Sequence, residues 1–293
     1  MRRKEQRPRR LGTNLESLEN RIVMDASLGF ENAARLPESG IAIASPPTVY
    51  DPTCETSIDG NGVFTIEGGM AKDQIAVTNN SRQGVVKINV KCGSGVTTPW
   101  IFPQGELTRI VFYGGSGDDS FVNSTMIPSE AYGEGGNDTL IGGPAADELY
   151  GGAGVDFVKG NGSWVTSTMG DTLHGGGGDD KIVGGEGNDL IYGGGGNDTL
   201  QGNMGNDQLF GGTGLDVLYG QAGDDFLQGG YDNHSDILSG GSGKDTFVQQ
   251  WREKVGNDRW AIKELETVID YALGDTLDWK ECSLPIVPWN PSL

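Results

Sequence analysis

Residues 184–201 read "GGEGNDLIYGGGGNDTLQ", in which one nine-residue unit occurs twice in succession. In each unit the first two residues are glycine, the sixth is aspartate and the eighth is a large apolar residue. Copies that keep the aspartate and the apolar residue two positions later start at 133, 142, 151, 160, 175, 184, 193, 202, 211, 220, 229 and 240. A short period that carries an apolar residue in every copy predicts a repeat architecture.

The composition of the chain agrees with this interpretation. Glycine accounts for 50 of the 293 residues, and the formal net charge is −20. A strongly acidic chain repels nucleic acid and attracts cations, so we do not expect a nucleic-acid partner. No stretch of the sequence is long and apolar enough to span a membrane, so no transmembrane segment is predicted.

The two parts of the unit predict two local structures. The last three residues of a copy, such as 190–192, have β propensity and place the middle side chain on one face of a strand. The first six residues must turn the chain, and glycine permits the positive φ angles that such turns require. Two units then form one coil, and stacked coils form two parallel sheets. The side chains expected between the sheets are Leu140, Leu149, Val158, Leu173, Ile182, Ile191, Leu200, Leu209, Leu218, Leu227, Leu238 and Phe247.

Every second copy lies on the same edge of such a stack, so the aspartates form two columns with steps of about 5 Å. One column is Asp138, Asp156, Asp180, Asp198, Asp216 and Asp236, and the other is Asp147, Asp171, Asp189, Asp207, Asp225 and Asp245. Stacked carboxylates repel one another, and residues 133–248 contain 18 acidic but only 3 basic residues. Ca²⁺ would resolve the repulsion, because it accepts about six to eight oxygens, backbone carbonyls included. We therefore predict several Ca²⁺ ions.

The unit is similar to the GGxGxDxUx repeat of the RTX, or hemolysin-type, calcium-binding family. This resemblance implies an all-β protein with a parallel β-roll, in which calcium lies between the turns of neighbouring coils. It also implies that repeat aspartates and loop glycine carbonyls hold the metal. The ligand set predicted on this basis is Asp138, Asp156, Asp180, Asp189, Asp198, Asp207, Asp216, Asp225, Asp245, Gly185, Gly187, Gly194, Gly196, Gly205, Gly212 and Gly214.

Three copies depart from the repeat. The copy that starts at 160 carries an insertion and lacks the glycine-rich loop, the copy at 229 has two extra residues, and the copy at 142 has Ala145 in place of a glycine. We therefore leave Asp147, Asp171 and Asp236 out of the predicted ligand set.

The sequence suggests five regions. We expect a basic N-terminal targeting-like tail over 1–27, a proline-containing linker over 28–52, a β-rich domain with degenerate repeats over 53–132, the calcium-binding roll over 133–248 and a cap over 249–293. The alternating apolar and polar residues of 53–132 predict strands. The segments "GKDTFVQQW" and "ETVIDYALGDTLDW" are similar to the closing strands of RTX modules, which implies a cap on the last coil.

The tail also bears on location. Its arginine-rich start and the residues Leu15, Glu16, Leu18, Glu19 and Arg21 resemble the short N-terminal motif of exported planctomycete proteins. The resemblance implies an extracellular or cell-surface protein. Cys54 and Cys92 either pair, which export would allow, or remain buried thiols.

These observations favour a secreted calcium-binding repeat protein without enzyme activity. The chain has no HExxH zinc motif and no GxSxG nucleophile motif. The alternative is a polysaccharide-binding or adhesion module, in which Trp164 and the tryptophans of 251–289 serve as sugar-stacking platforms. Extracellular polysaccharide or a cell-surface component would then be a partner.

Overall fold

The computed structural model describes residues 54–95, 99–161, 169–230, 232, 234–250, 267–268 and 276–280. The predicted tail and linker lie outside these residues, as does most of the predicted cap. All regular elements of the described part are β-strands. No helix in that part is long and apolar enough to cross a membrane.

The strands of the N-terminal half are short and closely spaced. They are β1 (Glu55–Ile58), β2 (Val63–Glu67), β3 (Asp73–Asn80), β4 (Val85–Cys92), β5 (Trp100–Pro103), β6 (Arg109–Tyr113), β7 (Ser120–Asn123), β8 (Ser129–Gly135), β9 (Thr139–Ile141), β10 (Glu148–Ala153) and β11 (Phe157–Lys159). Those of the C-terminal half are β12 (Thr172–Gly177), β13 (Lys181–Glu186), β14 (Leu190–Gly195), β15 (Thr199–Met204), β16 (Gln208–Thr213), β17 (Val217–Ala222), β18 (Phe226–Gly230), β19 (Ile237–Ser242), β20 (Thr246–Gln250), β21 (Thr267–Val268) and β22 (Thr276–Lys280).

The strands alternate between two sheets, as expected for stacked coils. The first sheet has the order β1-β2-β6-β8-β10-β12-β14-β16-β18-β20-β22, and the second has the order β21-β19-β17-β15-β13-β11-β9-β7-β3-β4-β5. All neighbours from β6 and β7 onward pair in parallel. The result is a β-solenoid of about seven turns. The predicted fold class, an all-β parallel β-roll, is confirmed.

The register places equivalent residues of successive coils side by side. Ile191 in β14 pairs with Leu209 in β16, and Leu209 pairs with Leu227 in β18. All twelve apolar residues predicted for the interior, Leu140 through Phe247, have 0% exposure. The core is therefore one column of large side chains from each sheet, which removes these side chains from water.

The strands are longer than the sequence indicates. We expected the first six residues of each copy to turn, but β14 continues from Leu190 to Gly195 and so includes the first three residues of the next copy. Gly194 and Gly195 still pair with Gly212 and Thr213 of β16. The prediction is wrong at these positions because a glycine backbone keeps its N–H and C=O, which are all that a ladder requires.

The chain turns most tightly at the fourth residue of the copy, which is Gly196 in the copy that starts at 193. Gly196 has a φ of 128°, and a Cβ on Gly214, the equivalent residue one coil later, would clash with the Gly196 carbonyl. The loops thus approach so closely that only a residue without a side chain fits.

The N-terminal end of the solenoid is closed differently. Here β3 pairs with β4 and β4 with β5 in antiparallel fashion, and β1 pairs with β2 in the same way. Cys54, next to β1, forms a disulfide with Cys92 at the end of β4 and so joins the two sheets. The disulfide decides between the two alternatives that the sequence left open. The predicted boundary between residues 132 and 133 falls inside β8.

At the other end, two strands of the predicted cap extend the sheets. β21 pairs in parallel with β19, and β22 pairs in parallel with β20. The remaining residues of the predicted cap lie outside the described part.

An aromatic column runs along the outer face of the first sheet. It consists of Tyr113, Tyr132, Tyr150, His174, Tyr192 and Phe210, whose neighbouring ring centroids are 4.6–5.0 Å apart with interplanar angles of 5–14°. The column follows from the parallel register, because each of these residues directly precedes the first glycine of a copy, the copy at 114–122 included. Each pair adds about 0.5–1.5 kcal/mol to the stability of the sheet.

Replacing one interior leucine should destabilise the roll. Leu200→Ala empties part of the core column, and we expect a loss of about 2–5 kcal/mol in the free energy of unfolding. Urea denaturation in saturating calcium measures this loss. Leu215→Ala, at a residue that is 53% exposed, is the matched control and should stay within about 0.5 kcal/mol of wild type. Equal losses for the two variants would contradict the assigned interior.

Candidate metal centre

The repeat aspartates form two rows, one on each edge of the roll. In the first row the backbone N–H of each aspartate donates to the Oδ1 of the aspartate one coil later, at 2.7–2.9 Å. This row is Asp73, Asp119, Asp138, Asp156, Asp180, Asp198, Asp216 and Asp236. In the second row the corresponding bonds link Asp147, Asp171, Asp189, Asp207, Asp225 and Asp245, at 2.8–2.9 Å. The two columns predicted from the sequence lie within these rows, and the first row also includes Asp73 and Asp119.

The rows lie inside the protein. The exposed fraction of every aspartate in them is 2% or less. Oδ1 is stabilised by the backbone donor described above. The other oxygen, Oδ2, is buried and accepts no hydrogen bond from the described residues in Asp119, Asp138, Asp156, Asp180, Asp189, Asp198, Asp207, Asp216 and Asp225. A buried carboxylate oxygen without a partner is costly, and a cation beside it removes that cost.

A backbone oxygen lies beside most of these Oδ2 atoms. At Gly193, the first residue of its copy, an added Cβ would clash with both Asp198 Oδ2 and the carbonyl oxygen of Gly211, one coil later. The same pair of oxygens surrounds Gly133, Gly151, Gly175 and Gly211. The first glycine therefore leaves room in which one carboxylate and one carbonyl oxygen converge.

This donor set fits calcium better than a transition metal. No group of three or more His, Cys, Asp and Glu side chains converges on one point within the described residues. A cation between the coils would take most of its ligands from backbone carbonyls. Carboxylate and carbonyl oxygens suit Ca²⁺, whereas zinc prefers histidine and cysteine.

The predicted glycine ligands occupy two positions of the loop. Gly185, Gly194 and Gly212 are second residues of their copies, and Gly187, Gly196, Gly205 and Gly214 are fourth residues. All have φ between 120° and 133°. The carbonyls of Gly187, Gly194 and Gly196 face the equivalent glycine one coil later. These oxygens thus lie between neighbouring loops, as does the row of aspartates.

Sequence reasoning missed two kinds of residue. Asp119 belongs to the first row, although the ligand set began at Asp138, and the good copy "GGSGDDSFV" over 114–122 was its signal. The carbonyls of the first glycines were also missed. The second position varies among the copies, with Glu134, Asn161, Asn203 and Gln221, but the first is glycine in all twelve.

Burial raises the pKa of the row carboxyls toward neutrality. The pKa is about 6 for Asp138, Asp156, Asp180, Asp189 and Asp198, and about 7 for Asp119, Asp207, Asp216 and Asp225. Burial is the largest cause, and neighbouring carboxylates raise most of these pKa values further. The backbone N–H donors act in the opposite direction. Without a cation, the ionised rows are therefore strained at neutral pH.

Three aspartates have protein donors on both oxygens. Asp73 accepts from the N–H groups of Gly69 and Gly93 at 3.1 and 3.0 Å. Asp147 accepts from Ser129 and, through Oδ2, from the Gly143 N–H at 2.7 Å. For Asp171 the Oδ2 partner is the Asn161 side-chain amide, at 2.9 Å. Asp147 and Asp171 are two of the three residues that the altered loops led us to leave out.

The third, Asp236, lies beside the two-residue insertion. Its Oδ1 accepts from the Asp216 N–H at 2.9 Å, and burial raises its pKa to about 6. Within the insertion, Asp232 pairs with His234 at 2.9 Å.

The tryptophans of the alternative hypothesis are not part of the described site. Trp164, Trp251, Trp260 and Trp289 lie outside the described residues, and the side chain of Trp279 in β22 does as well.

Known sequence patterns agree with the rows of aspartates. The RTX calcium-binding nonapeptide repeat pattern matches in four copies, over residues 132–162, 166–200, 201–233 and 231–248. No curated protein matches the chain. The matched copies carry the aspartates from Asp138 to Asp245 and the glycine loops between them. Residues 132–248 of the chain are therefore recognised as RTX calcium-binding nonapeptide repeats.

Proposed function

We propose that this chain is a secreted or cell-surface protein whose β-roll folds when calcium binds between its stacked loops. The observation that carries the proposal is the series of buried Oδ2 atoms that accept no hydrogen bond from the described residues. Most of them lie beside a glycine carbonyl of the next coil, and together they repeat along both edges of the roll. The RTX repeats themselves support calcium as the ion.

Calcium drives folding because it removes a repulsion that the folded coils create. Two carboxylates about 5 Å apart repel each other by about 3 kcal/mol at an effective dielectric constant near 20. The unfolded chain separates these charges, so the penalty falls on the folded state alone. A divalent ion between two coils balances two carboxylates and connects the coils.

The calcium concentration that such sites would need supports an extracellular location. A site of about 10⁻⁴ M affinity in about 1 mM calcium stabilises the fold by about 1.4 kcal/mol, and several sites multiply this gain. The same site gains almost nothing from cytosolic calcium. The Cys54–Cys92 disulfide supports the same location, because disulfides persist in oxidising compartments.

We propose a binding and structural role without catalysis. The aspartates of the roll are evenly spaced and buried at 2% exposure or less, so they occupy metal positions and do not face a substrate. The aromatic column does not favour sugar stacking either. Its neighbouring rings stack on one another at 4.6–5.0 Å, so the faces between them are covered.

A single row carboxylate should change calcium binding measurably. Asp198→Asn keeps an Oδ1 acceptor for the Asp180 N–H but removes the charge beside the Gly211 carbonyl. We expect the calcium concentration for half-maximal folding to rise about tenfold, equivalent to about 1.4 kcal/mol. Far-UV circular dichroism of the full chain during calcium titration measures the midpoint, with magnesium as the ion control.

The matched variant is Asp179→Asn, at an exposed neighbour that also accepts a backbone N–H, from Asn197 at 2.7 Å. It should leave the midpoint within about twofold of wild type. Equal midpoints for wild type and Asp198→Asn would argue against the row as the calcium site.

The stability of the fold should respond to pH in opposite directions in the two conditions. In chelator it should fall as pH rises, and in calcium it should fall as pH drops. The folded-state pKa values of the row are raised from 3.8 to about 6 or 7, so without calcium the folded state binds more protons than the unfolded one. In chelator, stability is therefore present at acidic pH and is lost as pH rises through about 6–7. In calcium, protons compete with the metal, so calcium affinity falls as pH drops through the same range.

Thermal melting of the full chain at pH 5 and pH 8, in chelator and in calcium, tests both signs. A melting temperature in chelator that rises from pH 5 to pH 8 would contradict the assigned titration of the rows.

A further inference from the structure

Asn161 occupies a loop position where other non-glycine residues behave differently. It is the second residue of its copy, as are Glu134, Asn203 and Gln221. Those three have positive φ angles of 69°, 80° and 80°, and none of them is buried. Asn161 does not have a positive φ, and its exposed fraction is 5%. Its side chain therefore lies within the roll.

The side-chain amide of Asn161 lies directly beside Oδ2 of Asp171. Its Nδ2 donates to Asp171 Oδ2 and to the carbonyl of Glu186, both at 2.9 Å. The side chain packs under Gly185 of the next coil, where an added Cβ would come within 2.7 Å of the Asn161 Cβ. The amide thus connects the carboxylate of one coil to the backbone of the next, which is the connection assigned to calcium elsewhere.

We propose that the Asn161 amide takes the place of a calcium ion at the Asp171 turn. The proposal rests on the proposed function, because it assumes that the other turns bind calcium. Asp189, the next member of the second row, has a buried Oδ2 with no hydrogen-bond partner in the described part. Asp171 has a donor at the same point, so a cation there would have to displace it. An amide brings N–H dipoles but no formal charge, so it can hold this one oxygen without linking two carboxylates.

The preceding member of the row, Asp147, is also held by protein donors. Its Oδ2 accepts the Gly143 N–H at 2.7 Å. The second row therefore begins with two successive turns whose Oδ2 atoms have protein donors, in the half of the roll toward the end that the disulfide and the antiparallel strands close. These coils offer a preformed edge on which the calcium-dependent coils 184–248 can stack.

The amide orientation decides between two opposite roles for Asn161. Its Oδ1 is buried and has no hydrogen-bond partner among the described residues. Rotation of the amide by half a turn would place Oδ1 against Asp171 Oδ2, and two oxygens can share that position only around a cation. In that case Asn161 would be a calcium ligand, and its removal would lower the number of bound ions.

Counting calcium ions on the full chain separates these roles. Isothermal titration with calcium gives the number of ions for wild type, Asn161→Gly and the matched control Asn203→Gly. Glycine at 161 restores the loop residue found at 185, 194 and 212 and removes the donor to Asp171. We expect Asn161→Gly to bind one more ion than wild type and Asn203→Gly to bind the same number as wild type.

An unchanged or smaller number of ions in Asn161→Gly would overturn the proposal. So would failure of this variant to fold in saturating calcium, because the glycine loop should then close around the ion. Asn161→Asp gives a second readout: a carboxylate opposite Asp171 should also add one ion. If wild type itself binds no calcium, the proposed function fails. If wild type binds several ions but Asn161→Gly adds none, only the proposal for Asn161 fails.

Discussion

Repulsion between stacked carboxylates is the constraint on which the rest of this structure depends. A repeat of two nine-residue units places each aspartate directly above its equivalent, and the N–H to Oδ1 bonds at 2.7–2.9 Å fix that spacing. The same bonds leave one oxygen of each carboxylate buried. The first glycine of each copy brings a carbonyl oxygen beside it. We propose that calcium is part of the folded state, because the chain supplies two rows of negative charge and few groups to balance them.

The roll is not uniform along its axis. At the N-terminal end, Phe64, Phe102, Phe112 and Phe121 form a thicker apolar core, and the Cys54–Cys92 disulfide joins the two sheets. Backbone and side-chain N–H donors hold both oxygens of Asp73 at this end, and both oxygens of Asp147 and Asp171 in the following coils. Between them, Oδ2 of Asp119, Asp138 and Asp156 accepts no hydrogen bond from the described residues. In coils 184–248 each sheet contributes one column of interior side chains, mostly leucine and isoleucine. There, Oδ2 of Asp189, Asp198, Asp207, Asp216 and Asp225 accepts no hydrogen bond from the described residues. We therefore propose that stability without metal is concentrated at the N-terminal end, where the disulfide and the phenylalanine side chains strengthen the fold, and that dependence on calcium is greatest in the later coils.

The period of the sequence predicted the fold, the interior column and the two rows, because period, side-chain direction and stacking are linked by geometry alone. It could not give the length of the strands. Gly194 and Gly195 are of a residue type that is common in turns, yet they continue the hydrogen-bonded ladder between strands. It could not decide whether Cys54 and Cys92 pair, because that depends on how the antiparallel end folds back on β1. The role of Asn161 was hidden for a similar reason: residues 161, 203 and 221 share a loop position, and only the backbone φ shows which side chain points inward.

Hydrogen exchange of the full chain, followed by mass spectrometry in chelator and in calcium at neutral pH, tests the central claim most directly. The account predicts that peptides covering 184–248 exchange rapidly in chelator and become protected in calcium. Peptides covering 54–95 and 105–150 should remain partly protected in both conditions. Equal protection of 184–248 with and without calcium would contradict the claim that the buried aspartate rows require the ion.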